Sequence, residues 1–221
     1  MAWYSKVANI LYQAPCPICQ RSSRQVVCVD CDRQIQACKN HEFRQGQVES
    51  EIPLYCWGKY DQALKRAIEV CKYDQSPQIA YYLGQQMAKS WVAPVPSSCA
   101  LVPIPLHRQK QKLRGFNQAE QLARGFGDDL GIACRPDLLR RVKNTQPQFQ
   151  MADVQARLEN LRGAFLANPS HGQAVIIVDD IYTTGTTVRQ AIAALRAVKT
   201  SVMAVIGLAQ PPKSFRIWPD F

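Results

Sequence analysis

Ala174-Val175-Ile176-Ile177-Val178-Asp179-Asp180-Ile181-Tyr182-Thr183-Thr184-Gly185-Thr186-Thr187 decides how this 221-residue chain is read. Its branched apolar opening is short and unbroken, as in a strand buried on both faces. Two adjacent acids close that strand. A hydroxyl-rich loop follows, then an apolar helical pattern through Val188, Ile192 and Leu195. The order strand, acids, small-residue loop, helix builds an anion site: the free N–H groups of a helix start face the loop, and the helix dipole favours negative charge there. Threonine hydroxyls add donors, and Gly185 permits close backbone approach. A helix cap by Thr184 or Thr186 accounts for one threonine, but not for four threonines beside two acids.

Outward from this stretch, the bulk properties are those of an ordinary soluble globular protein. The hydrophobic fraction is 47% and the charged fraction 20%, and no apolar run approaches the roughly 18 residues a membrane helix needs. Met1 to Gln13 has neither a basic opening nor a long apolar core, so no signal peptide is expected. A cytoplasmic location is the expectation. Net charge is +10 and pI about 9.3, which suits a polyanionic partner as well as a merely soluble surface.

Nine cysteines in such a chain point to metal spacing rather than disulfides. Cys16-Pro17-Ile18-Cys19 and Cys28-Val29-Asp30-Cys31 are two C-x2-C pairs, a donor set for tetrahedral zinc. The eight residues between the pairs are fewer than the commonest zinc spacings have. Cys38-Lys39-Asn40-His41 is a third pair whose ligation stays open. Arg21, Arg24, Arg33 and Lys39 surround the cluster, either to balance thiolates or to dock a partner. With zinc on four thiolates the formal +10 falls to about +8.

The spacing of Trp3, Tyr4, Val7, Ile10 and Leu11 predicts a short amphipathic helix, and Glu42 to Ser50 reads as a polar linker. Ile52 to Trp57 alternates as a strand that Gly58 and Asp61 end. Leu64, Ile68 and Cys71 mark one helix, and Ile79, Leu83, Met87 and Trp91 another beginning at Ser76-Pro77. Cys99 to Leu106 is a strand ended by prolines. The basic run that follows holds Arg108, Lys110, Lys112 and Arg114 in a strand-end loop, a candidate phosphate clamp. A helix then carries Ala119, Leu122, Ala123, Phe126 and Leu130 inward and stops at Gly131. Met151 to Leu161 is expected to be helical, Ser201 to Ala209 a strand, and Gln210 to Phe221 an ordered tail.

Val178 to Thr187 resembles the phosphoribosyl-pyrophosphate (PRPP) signature of type I phosphoribosyltransferases. The likeness narrows to the ComF family through Val102-Pro103-Ile104-Pro105-Leu106, Arg114-Gly115-Phe116-Asn117-Gln118, Arg141, Thr145, Gln148, Arg157, Asn160, Gly163 and Phe165, with the double C-x2-C and a helix carrying Lys72. Two departures stand out: Cys38-Lys39-Asn40-His41 replaces a C-x2-C pair, and the usual glycine after Lys72 is missing.

The resemblance implies an α/β fold: a phosphoribosyltransferase-like open parallel sheet flanked by helices (49–221), with a small N-terminal zinc-finger subdomain (1–48). It implies PRPP binding, with Thr183, Thr184, Gly185, Thr186 and Thr187 on the 5-phosphate. Arg108, Lys110 and Arg114 would meet the pyrophosphate. Asp179 and Asp180 would act as the catalytic pair, holding the ribose hydroxyls and a magnesium ion. Cys16, Cys19, Cys28 and Cys31 would hold structural zinc. Single-stranded DNA and a competence helicase or translocase are the implied partners, in natural transformation, with a cytoplasmic or peripheral inner-membrane placement. Three readings remain: a phosphoribosyltransferase of unknown acceptor, a non-catalytic docking module whose PRPP pocket is a sensor or relic, and a purely regulatory nucleic-acid binder. No large C-terminal hood is expected, so either residues 42–98 supply one or no free base is the acceptor.

Overall fold

The computed structural model describes residues 14–41, 43–49, 51–96, 98–143 and 163–212. In chain order they form α1 (Val29–Gln36), β1 (Arg44–Val48), β2 (Ile52–Lys59), α2 (Gln62–Tyr73), α3 (Pro77–Lys89) and β3 (Ala100–Pro103). Then come α4 (Arg108–Arg114), α5 (Gln118–Leu130), β4 (Ala133–Cys134), β5 (Leu139–Arg141), β6 (Phe165–Ala167), β7 (Val175–Ile181), α6 (Thr186–Ala197) and β8 (Val202–Gln210). The helices expected at Met1 to Gln13 and Met151 to Leu161, and most of the tail after Gln210, lie outside the described residues, as do Thr145, Gln148, Arg157 and Asn160.

The fold is α/β. One sheet has the order β1-β2-β8-β7-β3-β4. β2, β8, β7, β3 and β4 run parallel, and β1 pairs antiparallel with β2 at the edge. A separate antiparallel pair joins β5 to β6. Val175, Ile176, Ile177 and Val178 are all buried because both faces of β7 are covered. Ile176 and Val178 join one apolar cluster with Leu64 and Ile68 of α2, Ile79 and Leu83 of α3, and Leu122 and Phe126 of α5. Val175 and Ile177 join the other, with Val188, Ile192 and Leu195 of α6.

From β3 the chain winds outward to β4, and from β7 it winds the opposite way to β8. The crossover direction therefore reverses between two neighbouring strands. Such a switch point opens a crevice at the strands' carboxyl ends, where open α/β sheets take ligands. Register brings the two ends level: Pro103 pairs with Val178, and the Ile104 N–H donates to the Val178 carbonyl at 2.8 Å.

Three expectations are corrected. Arg44–Val48 is a strand rather than linker: an edge strand needs only one apolar contact, here Val48 opposite Ile52, so its polar sequence hid it. The basic run after β3 is the helix α4, because Gln, Lys, Leu and Arg favour helix and Gly115 closes it. Leu130 is 37% exposed, in the last turn of α5 beside the Gly131 cap rather than on its inner face. α3 and α5 cross closely through glycines. A Cβ on Gly84 would stand 2.2 Å from the Leu122 carbonyl oxygen, and one on Gly125 2.0 Å from that of Tyr81.

Candidate functional site

The crevice is built first by the segment after β7. Tyr182 is buried, Thr183 and Thr184 are exposed, and Gly185 turns the chain at φ 73° into α6. A Cβ at Gly185 would lie 2.3 Å from the Tyr182 hydroxyl, so both conformation and space demand glycine there. No side chain caps α6, contrary to a plain capping role for Thr184 or Thr186. The two hydroxyls are instead 2.9 Å from each other, and Arg189 Nη2 donates to the Thr184 carbonyl at 2.8 Å. The result is a cradle lined by Asp179, Tyr182, Thr183, Gly185, Thr186 and Thr187. Donors at a 12-residue helix's N-terminus converge on it.

The second wall comes from the segment after β3. Lys110 and Arg114, one helical turn apart, are half-buried, whereas Arg108 and Lys112 are exposed. Asn117 ties this wall to the sheet. Its Nδ2 donates to the Ile104 carbonyl at 3.0 Å, and its Oδ1 accepts from the Ala119 N–H to cap α5. Arg141 enters from β5 and lies 5.6 Å from the Phe165 ring centre. Burial and the like charges of Arg141 and Arg114 hold the Lys110 ammonium below the ordinary lysine value. Burial likewise lowers the Arg141 guanidinium, with the charge of Asp179 pulling the other way. Three cations thus crowd one wall, an arrangement that a multiply charged anion relieves.

The two acids line different hollows but stay in touch: Asp179 Oδ1 accepts from the Asp180 N–H at 2.9 Å, and the two carboxyls share a hydrogen bond. Asp179 lines the threonine cradle. Asp180 faces the other side, beside Cys71, Gln118 and Leu122. There Lys72 Nζ, from the last turn of α2, stands 2.5 Å from Asp180 Oδ2. Burial and the neighbouring Asp180 charge push the Asp179 carboxyl well above the usual range. Burial opposes ionisation of Asp180 too, but the charge and hydrogen bond of Lys72 outweigh it and hold that carboxyl low. Burial also acts against the Lys72 ammonium, and Asp180 reverses the balance, leaving its pKa raised.

Away from the crevice, Cys16, Cys19, Cys28 and Cys31 place their ligand atoms within 4.8 Å of one another. The first pair sits on a tight turn, where the Cys16 N–H donates to the Arg21 carbonyl at 2.8 Å. The second opens α1, with Cys28 as its N-cap residue, where the helix dipole favours thiolates. The Arg21 backbone N–H does most to draw the Cys19 thiol down, to about 6, and burial does most to push Cys31 up. This donor set fits a tetrahedral metal ion such as zinc. Cys38 is turned away: its thiol donates to the carbonyls of Gln34 and Asp61 at 3.5 and 3.6 Å.

Sequence reading missed Lys72 and Arg141 as members of the crevice. Both belong to the motifs that carry the family resemblance, and Lys72 lies off the apolar stripe of its helix. Neither signal says what the side chain reaches, since α2 and β5 are distant from β7 in sequence.

A family model described as phosphoribosyl transferase domain matches residues 113–214. The chain is 33% identical over 115 residues to competence protein F of Haemophilus influenzae, covering half of each chain. It is 28% identical over 187 residues to DNA utilization protein YhgH of Salmonella typhi, covering 79% of this chain and 81% of that one. Against competence protein ComFC of Bacillus subtilis it is 27% identical over 174 residues, covering 78% and 67%.

Proposed function

The chain belongs to the ComF family, and from that premise we propose that its crevice binds PRPP in the service of single-stranded DNA uptake during natural transformation. One observation carries the reading. The threonine cradle after β7 and the cationic wall after β3 leave adjacent strands at the same level. A ligand with a phosphate at one end and a pyrophosphate at the other suits that pair of walls. Thr183 to Thr187 take the 5-phosphate, with Asp179 beside the ribose. Lys110, Arg114 and Arg141 take the pyrophosphate, and Arg108 lies at the outer rim of the same helix.

Phosphoribosyl transfer breaks the bond from the anomeric carbon to pyrophosphate and forms one to an acceptor. The protein's part is to hold the two ends and neutralise the departing charge. Magnesium arrives bound to PRPP, where it offsets pyrophosphate charge. The acid pair fits a protein-held divalent ion only in part, because Asp180 is already engaged by Lys72. The 1–48 part, with zinc on its four thiols, is structural and presents Arg21, Arg24 and Arg33 for docking DNA or a translocase. That part joins 49–221 through the β1–β2 pairing.

Calorimetric titration of the full chain with PRPP and magnesium tests the reading, with one site per chain expected. Absence of heat and of thermal stabilisation at millimolar PRPP in folded protein overturns it. Pyrophosphate release with candidate acceptors then separates a transferase from a sensor or docking module. A DNA-binding role predicts affinity for single strands that falls steeply with salt.

A further inference from the structure

The crevice contains a cation of the chain's own at the place where an acid pair would recruit one. Lys72 Nζ and Asp180 Oδ2 are 2.5 Å apart, with side-chain exposures of only 18% and 19%. The backbone that carries the lysine is anchored. Its helix begins at an Asp61 cap and buries Ala63, Leu64, Ala67, Ile68 and Cys71 in the core, and Arg66 on the outer side donates to Gln34 at 3.1 Å. Strand geometry turns Asp180 toward this helix while Asp179 stays in the cradle. A divalent ion needs oxygen ligands freed from other cations and drawn close together. Here one carboxylate of the pair is committed to an ammonium, and the other is tied back onto its neighbour, its Oδ1 accepting from the Asp180 N–H at 2.9 Å.

We propose that Lys72 is the resident counter-ion of Asp180, standing where a divalent metal would otherwise be held. The protein's acid pair then binds no metal by itself, and any magnesium in the crevice is carried in by the ligand. Lys72 is on this view a positioning residue: it fixes Asp180 and leaves Asp179 as the carboxylate that faces the ligand. The inference concerns the crevice assigned to PRPP above and extends that reading to its charge balance.

The test uses the zinc-loaded full chain without PRPP, so that it stands apart from the PRPP titration. Mn²⁺ is titrated at neutral pH and the free ion is followed by electron paramagnetic resonance. The wild type is expected to show no Asp180-dependent Mn²⁺ site, so Asp180→Asn leaves its weak binding unchanged. Lys72→Met exposes an uncompensated buried carboxylate and is expected to gain one Mn²⁺ site at least tenfold tighter than any in the wild type. That site is expected to vanish in Lys72→Met with Asp180→Asn. Lys72→Arg keeps the charge and should gain nothing, and Lys72→Gln substitutes for the methionine variant if that one fails to fold. A wild-type Mn²⁺ site that Asp180→Asn removes overturns the proposal, as does the lack of any gain in both neutral variants. Failure to bind PRPP with this Mn²⁺ pattern intact refutes the ligand and leaves the counter-ion.

Discussion

The two walls of the crevice are built on opposite plans. After β7, everything needed lies within nine consecutive residues, Asp179 to Thr187, and the backbone does most of the work through Gly185 and the start of α6. After β3, the wall is assembled from three places: Lys110 and Arg114 from α4, Arg141 from β5, and Lys72 behind them from α2. The first plan depends on local geometry that one glycine controls. The second depends on side chains that packing brings together, so its members share the charge between them. Single substitutions should therefore act unequally on the two walls.

The largest effect is expected at Gly185. Gly185→Ala places a methyl in a left-handed conformation and against the Tyr182 hydroxyl. PRPP affinity in calorimetry should fall at least 100-fold, about 2.7 kcal/mol, with little change in circular dichroism. Retained affinity would show that the cradle tolerates a side chain and that the anion sits elsewhere.

Next comes the scaffold beneath the assembled wall. α5 is anchored against α3 by Gly84 and Gly125, and backbone rather than flexible side chains faces each missing Cβ. Gly125→Ala should cost about 1–3 kcal/mol of stability, seen as a lower urea midpoint. An unchanged midpoint would mean that the two helices can separate without loss.

A smaller effect is expected from the cations themselves. Arg141→Gln should weaken PRPP binding about tenfold, near 1.4 kcal/mol, because Lys110 and Arg114 still face the ligand. The loss should shrink as salt is raised. A loss as large as that of Gly185→Ala would make this wall as indivisible as the other.

The smallest effect on the crevice should come from the thiol cluster. Stripping metal from Cys16, Cys19, Cys28 and Cys31 should lower the melting temperature, since metal binding is coupled to folding. Below that temperature PRPP affinity should stay within about threefold. The coupling route exists: Gln36 of α1 meets Gln86 of α3 at 3.1 Å, and Tyr82 donates to Asp32. A large loss of affinity would place the cluster within the site's own support.

The contiguous wall was readable because its chemistry and its geometry lie in the same short stretch. An apolar run, two acids and a threonine loop around one glycine define a strand, its carboxyl end and a helix start together. The thiol cluster was readable for the same reason, as one tight turn and one helix start. Arg44–Val48 was not, because an edge strand is held by backbone pairing that leaves its side chains free to be polar. The basic run after β3 revealed its charge but not its form; once it is helical, periodicity turns Lys110 and Arg114 inward and Arg108 outward.

By itself, then, the sequence determined the α/β class, the cradle after β7 and the four-thiol cluster, all products of short-range order. Only the tertiary structure decided which cations meet and what the two acids face. Asp179 and Asp180 line different hollows at the end of β7, and the packing of α2 brings Lys72 to the second of them. Side-chain direction across a strand and contacts between elements far apart in sequence depend on how the layers pack, and no local pattern of residues records that.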